Sequence, residues 1–332
     1  MRRFVIVTAL AFAVCAPRSA AQAPNPFLGA WNMTGTGPDS SYVYWLEVKE
    51  DGGKLTGMFL NRSGNPNPLA MVKVESSELI FQGGRPDQPT GPEYRAKLDN
   101  GKLVGQHTLT TGARAATATQ PATPGTQRVV NWIGTRPPAF PARNANGRHT
   151  YGTPVVLADG KSTDMFGVQN AGRPMGWSIV EGVLTNQAGA NNLVSKEKFQ
   201  DFKIEAEYKL GEHANSGIYV RGRYELQLVD DAADTTTRRD FGHMAIYGRT
   251  PPSTNASKPP NEWQTMEAIV VGNRVTVTLN GTRVQDNAVI LGITGGALDN
   301  DELAPGPIMI QGDHGIVVIR KFVVTPITRA GQ

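Results

Sequence analysis

Along most of this chain apolar and polar residues alternate one by one, in short runs broken by Gly, Asn, Asp and Pro. The three-to-four-residue spacing of an amphipathic helix is almost absent. A period of two is the mark of a strand that sets one face on a core and turns the other outward. In the first part of the chain, from about 27 to 137, this pattern predicts strands over 42–48, 55–60, 70–74, 78–82, 94–98, 103–110 and 129–133. Asp51-Gly52-Gly53 and Asp99-Asn100-Gly101 supply two of the turns. The second part, from about 155 to 328, predicts strands over 177–180, 183–186, 192–195, 202–210, 217–220, 224–229, 244–247, 264–271, 274–279, 282–286, 308–311 and 316–325. Glu181-Gly182, Gly272-Asn273 and Asn280-Gly281 mark hairpins there. So many strands in so short a stretch cannot lie in one flat sheet, so two stacked antiparallel sheets are expected. The expectation is an all-β chain: a small β-meander or barrel over 27–137, a linker over 138–154, and a large β-sandwich over 155–328.

Composition changes this picture little. Thirty-seven glycines and 23 prolines agree with a turn-rich all-β protein. Residues 113–126, rich in Ala, Thr, Pro and Gln, are expected to form a mobile loop, because they cannot bury enough apolar surface to offset their chain entropy. Arg2 and Arg3, an apolar run to Ala16 and the small residues at Ser19-Ala20-Ala21 have the three-part form of a secretory signal peptide over 1–21. A secreted or periplasmic product is then expected. Removing that leader takes three arginines and no acid from a net charge of +4, which leaves the remainder nearly neutral. Such a surface does not suit a phosphate backbone, and nucleic acid is not an expected partner. The single cysteine, Cys15, lies within the leader, so disulfides and thiolate chemistry are not expected afterwards. No later run reaches the roughly 20 apolar residues of a membrane-spanning helix.

The stretch NSGIYVRGRYELQLVDD, Asn215 to Asp231, concentrates the chemistry. From Tyr224 onward Leu226 and Leu228 point one way while Glu225 and Gln227 point the other, and Ile218 and Val220 alternate with Tyr219 and Arg221. If the polar sides coincide, Arg221, Glu225 and Gln227 share a surface suited to hydroxyl and carbonyl groups. An ordinary wet sheet face would carry the same pattern.

Five pieces in collinear order, GWSIVEGVLTN, FQDFKIEAEYKL, NSGIYVRGRYELQLVDD, the run from HMAIYGRTPP to LNGTRV, and PIMIQGDHGIVVIRKFVVTP, resemble the 3-keto-disaccharide hydrolase domain family. They span about 163–326. The resemblance implies a concanavalin-type lectin and glucanase fold, a jelly roll, and action on a 3-keto glycoside. Relative to the usual pattern this chain is lengthened over 230–241 and carries an insert over 292–302.

A ketone at C3 of a sugar acidifies the C2 hydrogen, so the glycosidic bond can be broken by deprotonation at C2, β-elimination of the anomeric substituent and hydration. That route needs a base, a cationic or hydrogen-bonding group at the enolate oxygen, and an acid for the leaving oxygen. Glu225 is the candidate acid or base, Arg221 and Lys258 are candidate cations, and His243 a candidate proton shuttle. Asn215, Gln227, Tyr247, Trp263, Gln311 and His314 are candidates for holding the sugar. No cofactor is required by this pattern, while Asp230 and Asp231 leave a divalent cation open. The E-x-D-x-x-E pattern of lectin-like glucanases is absent, and so are serine-hydrolase, zinc-protease and nucleotide-binding signatures. The alternative is a non-catalytic carbohydrate-binding module of the cell envelope.

Overall fold

The structure, a computed structural model, describes residues 25–85, 87–112, 123–234 and 239–329. The expected leader over 1–21 and most of the expected loop, 113–122, lie outside these residues.

Eight strands come first: β1 (Gly29–Gly35), β2 (Val43–Asp51), β3 (Lys54–Asn61), β4 (Asn67–Glu75), β5 (Glu78–Arg85), β6 (Gln88–Asp99), β7 (Lys102–Thr111) and β8 (Thr126–Thr135). Each pairs with the next and β8 returns to β1, so the sheet closes into a barrel with no free edge. Inward-facing Trp31, Leu46, Phe59, Phe81, Tyr94 and Trp132 fill its interior, with the Phe81 and Tyr94 rings stacked at 4.9 Å. The expected turns behave as written: Gly52 and Gly53, and Asn100 and Gly101, all adopt the left-handed backbone that a tight hairpin demands.

The remaining strands are β9 (Thr150–Tyr151), β10 (Val155–Ala158), β11 (Phe166–Val168), β12 (Trp177–Val180), β13 (Val183–Asn186), β14 (Leu193–Phe199), β15 (Phe202–Leu210), β16 (Asn215–Val220), β17 (Tyr224–Val229), β18 (Gln264–Val271), β19 (Arg274–Leu279), β20 (Thr282–Val289), β21 (Gly306–Ile310) and β22 (Val317–Arg329). A nine-stranded sheet runs β12-β13-β22-β15-β18-β19-β20, with β9 and β10 also paired to β22. A five-stranded sheet runs β11-β14-β21-β16-β17. The two sheets pack face to face as a concanavalin-like β-sandwich: Ile204, Tyr208, Phe322 and Val324 from one meet Ile218, Leu226, Leu228 and Ile308 from the other. No helix among the described residues is long and apolar enough to cross a membrane.

Three local expectations need correction. The segment 244–247 is not a strand, because Met244 takes a left-handed φ of 64° that breaks the ladder. Ile246 makes only isolated bridges, to Leu226 and Thr250. The stretch 138–154 is not a low-order tether. Ala145 is fully buried and donates to Asn287 Oδ1, Asn146 Oδ1 accepts from Thr276 Oγ1, and β9 joins β22. It is an irregular strap whose side chains do the bonding that a ladder does elsewhere. The outer face of β16 and β17 is not wet: every residue from Ser216 to Leu228 is buried.

What covers that face is the insert. Residues 292–302 run between the two domains and bond to both. Glu302 Oε1 accepts from Asn32 Nδ2 of the barrel at 2.7 Å, and its Oε2 accepts from Tyr224 Oη of the sandwich at 2.7 Å. Asn300 is tied to Thr34 and to the Met33 carbonyl. Val43, Trp45 and Leu60 of the barrel join the sandwich's apolar cluster.

Candidate functional site

β16 and β17 pair in the register Asn215↔Val229, Gly217↔Gln227 and Tyr219↔Glu225, and Tyr219 also pairs with Met309 of β21. Because side chains alternate across a strand, Asn215, Gly217, Tyr219, Glu225 and Gln227 project from the outer face of the five-stranded sheet. Gln311 joins them at the end of β21, its amide donating to the Gly217 carbonyl. Tyr247, whose amide donates to the Glu225 carbonyl, closes the other side and is half-buried.

Glu225 is the centre of this group. It is 4% exposed, and burial pushes its carboxyl up to about 8 from an ordinary 4.5, with the Tyr219 hydrogen bond pulling the other way. Tyr219 Oη lies 2.9 Å from Glu225 Oε2 and 2.9 Å from the Gly295 carbonyl. A phenol has a single hydrogen, and both neighbours accept unless the carboxyl carries a proton. Tyr219 Oη donates to Glu225 Oε2, which favours the ionised carboxylate and so opposes the effect of burial. Thr294 Oγ1 accepts the Glu225 amide at 2.9 Å. Gly217 is required beneath the carboxyl, since a Cβ there would collide with Glu225 Oε1 and Cγ. Gln227 adds a buried Oε1 that has no hydrogen-bond partner among the described residues.

The candidates thus divide. Glu225, Gln227, Asn215, Tyr247 and Gln311 come together, with exposed His314 at the margin, its Nδ1 2.6 Å from Asp313 Oδ1. Arg221 does not join them. It sits in the turn between β16 and β17 with a φ of 55°, fully buried, and its guanidinium donates to the carbonyls of Gly272 and Glu302. His243 lies in the sandwich interior, its Nε2 2.7 Å from Tyr208 Oη and its Nδ1 2.8 Å from the Val229 carbonyl. Burial holds it below the ordinary histidine range, as suits a neutral structural ring. Lys258 donates to the Trp263 carbonyl, and the Trp263 ring is flanked by Lys209 and by Arg320 at 4.3 Å. Both belong to the loop before β18, beside the solvent face of the nine-stranded sheet.

Asp231 accepts from the His243 amide, from Asn255 Nδ2 and from Ser257 Oγ, and Asp230 accepts from the His213 amide. These carboxylates organise loops. No group of three His, Cys, Asp or Glu side chains suited to a metal occurs among the described residues.

Tyr219, Thr294 and Gly217 were not among the sequence candidates. Tyr219 and Gly217 carry a legible signal, the phase of alternation that pairs them with Glu225 and Gln227. Thr294 carries none. Arg249, a further cation on the segment after Tyr247, faces away: its guanidinium carbon lies 4.0 Å from the Trp45 ring, and it lines a cleft of about 460 Å³ between barrel and sandwich.

The model of a 3-keto-alpha-glucoside-1,2-lyase-like domain matches residues 153–325. No curated protein matches the chain. Among solved structures, two candidate glycosyl hydrolases from Parabacteroides distasonis ATCC 8503 are similar. One is 24% identical, with 57% of this chain and 93% of that one covered and a TM-score of 0.46. The other is 19% identical, covering 52% and 94%, with a TM-score of 0.44. A non-specific endo-beta-1,3(4)-glucanase is 12% identical over 58% of this chain and 94% of its own, with a TM-score of 0.33.

Proposed function

This chain belongs to the family of the 3-keto-alpha-glucoside-1,2-lyase-like domain, and from that premise we propose that it is a carbohydrate-active enzyme cleaving 3-keto glycosides at the outer face of β16 and β17. Glu225 is the acid and base. Ionised, it takes the hydrogen from C2, and the electron pair passes into the C3 carbonyl as an enolate. The enolate collapses with departure of the C1 oxygen, which receives the proton that Glu225 has just gained. Water then adds across the new C1–C2 double bond, so the net change is hydrolysis.

The observation that carries this reading is one buried carboxyl bonded to Tyr219 on the face that Asn215 and Gln227 share, with Gln311 and Tyr247 on the neighbouring backbone. A carboxyl titrating near 8 is a stronger base than an ordinary glutamate and still ionises at working pH. The buried guanidinium of Arg221 is committed elsewhere, so the reading assigns the enolate oxygen to a neutral donor such as the Tyr247 hydroxyl. Export of the protein is part of the same proposal and rests on the leader sequence.

Glu225→Gln should lower kcat on a 3-keto disaccharide by about 10²–10⁴-fold while leaving binding within about tenfold, measured by mass-spectrometric product analysis and calorimetry. Unchanged turnover would remove Glu225 from the mechanism. The near-complete burial of Glu225 favours a second reading, in which the half-exposed margin at Asn215 and Gln311 only binds glycans. That reading requires calorimetric binding of unoxidised glycans with no product.

A further inference from the structure

We infer that the barrel is a working part of the candidate site: the β3–β4 turn, Arg62 to Pro66, positions the segment that holds Tyr219 and Glu225. This rests on the reading of Glu225 given above.

The connection is a continuous series of bonds. The Arg62 carbonyl of the barrel accepts the Gly296 amide at 2.8 Å. One residue earlier, the Gly295 carbonyl accepts from Tyr219 Oη, which bonds to Glu225. Thr294, one residue earlier again, fixes the Glu225 amide through its hydroxyl. Three consecutive residues of the insert therefore touch the barrel turn, the tyrosine and the glutamate. The approach is as close as backbones allow. A Cβ on Gly295 would overlap the Gly64 backbone, and a Cβ on Gly248, next to Tyr247, would lie 2.7 Å from Asn65 Cβ. The turn is itself shaped by side chains, since Asn67 Nδ2 donates to the Asn65 carbonyl and Asn65 Nδ2 to Asn67 Oδ1.

From the sandwich side, the hairpin turn between β16 and β17 grips the rest of the insert. Arg223 pairs with Asp299 and donates to the Ala304 carbonyl, while the Leu298 amide donates to the Gly222 carbonyl. The two arginines of the motif thus act as clamps on the insert. The insert in turn is pressed onto the site by the barrel. Arg62–Pro66 is accordingly a positioning element that never needs to touch substrate.

The test uses the full-length protein and three variants. Gly295→Ala forces the insert and the barrel turn apart without imposing a disfavoured φ, because Gly295 is not in the left-handed region. Asn67→Ala loosens the turn without altering the sandwich. Gly101→Ala is the control: it strains a left-handed glycine in a different barrel turn with open space around it. The first readout is the infrared carbonyl band of the protonated Glu225 carboxyl, identified by its loss in Glu225→Gln; it needs no substrate. The second is the split between kcat and KM. The band should move in Gly295→Ala and Asn67→Ala and stay in place in Gly101→Ala, with kcat falling about tenfold or more in the first two and KM within about threefold. A band unmoved in both, or moved equally in the control, overturns the inference. Absence of turnover in the parent protein, with the band still responding to the turn, would sink the proposed reaction and leave the positioning role standing. If Gly295→Ala does not fold, Asn67→Ala against Gly101→Ala decides the matter alone.

Discussion

Burial lets Glu225 hold its proton into the neutral range, and the Tyr219 hydrogen bond is the force that opposes this. Tyr219→Phe should therefore raise the pKa of Glu225 further above about 8, moving the acidic limb of a kcat/KM profile, on which the base ionises, to higher pH; a shift to lower pH would contradict the assignment. Glu225 itself was legible in the sequence, because strict alternation with Leu226 and Leu228 separates it from the core. Arg221 departs from the expected surface for a physical reason: alternation holds only while the chain is extended, and Arg221 already lies in the turn. Lys258 and Trp263 were misplaced because a loop sequence says nothing about which side of a sheet it visits. His243 sits after the lengthened segment, and only tertiary packing reveals that Tyr208 of the opposite sheet claims its ring.

Among the elements, the hairpin of β16 and β17 does two things at once. Its inner face supplies core residues, and its outer face supplies the polar cluster, with Gly217 making room for the carboxyl that lies across it. Gly217→Ala should destabilise the fold by about 1–3 kcal/mol, the usual cost of overpacking, and should reduce turnover by displacing Glu225. Chemical denaturation and single-turnover kinetics would check both. A fold and rate left unchanged would mean that the carboxyl has another resting place. Strands and hairpins of this kind were readable because Asn-Gly and Glu-Gly pairs mark left-handed turns. The segment 292–302 carries no local pattern that announces its role. Its bonds reach 270 residues back to Asn32, and no local pattern encodes a partner so distant.

At the scale of the whole molecule, the closed barrel followed by a two-sheet sandwich was foreseeable from strand number and spacing, while the contact between them was not. The buried acid makes overall stability depend on pH. Folded Glu225 keeps its proton up to about 8, whereas in the unfolded chain it loses it near 4.5. Stability therefore declines as pH rises through that interval. His107, held down to about 4 by burial in the barrel, and His243 act in the opposite direction, but only below about pH 6.5. Between about pH 6.5 and 8 the melting temperature of the parent protein should fall, and in Glu225→Gln it should be nearly flat. Parallel slopes for the two proteins would show that the carboxyl is not held neutral in the native state.

One strand has a further consequence for biosynthesis. β22 pairs with β9, β10, β13 and β15, so the middle of the large sheet is made from a stretch translated near the end of this sequence. The barrel, whose eight strands are consecutive, can assemble long before that stretch becomes available. The preceding strands of the larger sheet must meanwhile wait with their apolar sides uncovered. This nascent interval is where a folding chaperone would matter most.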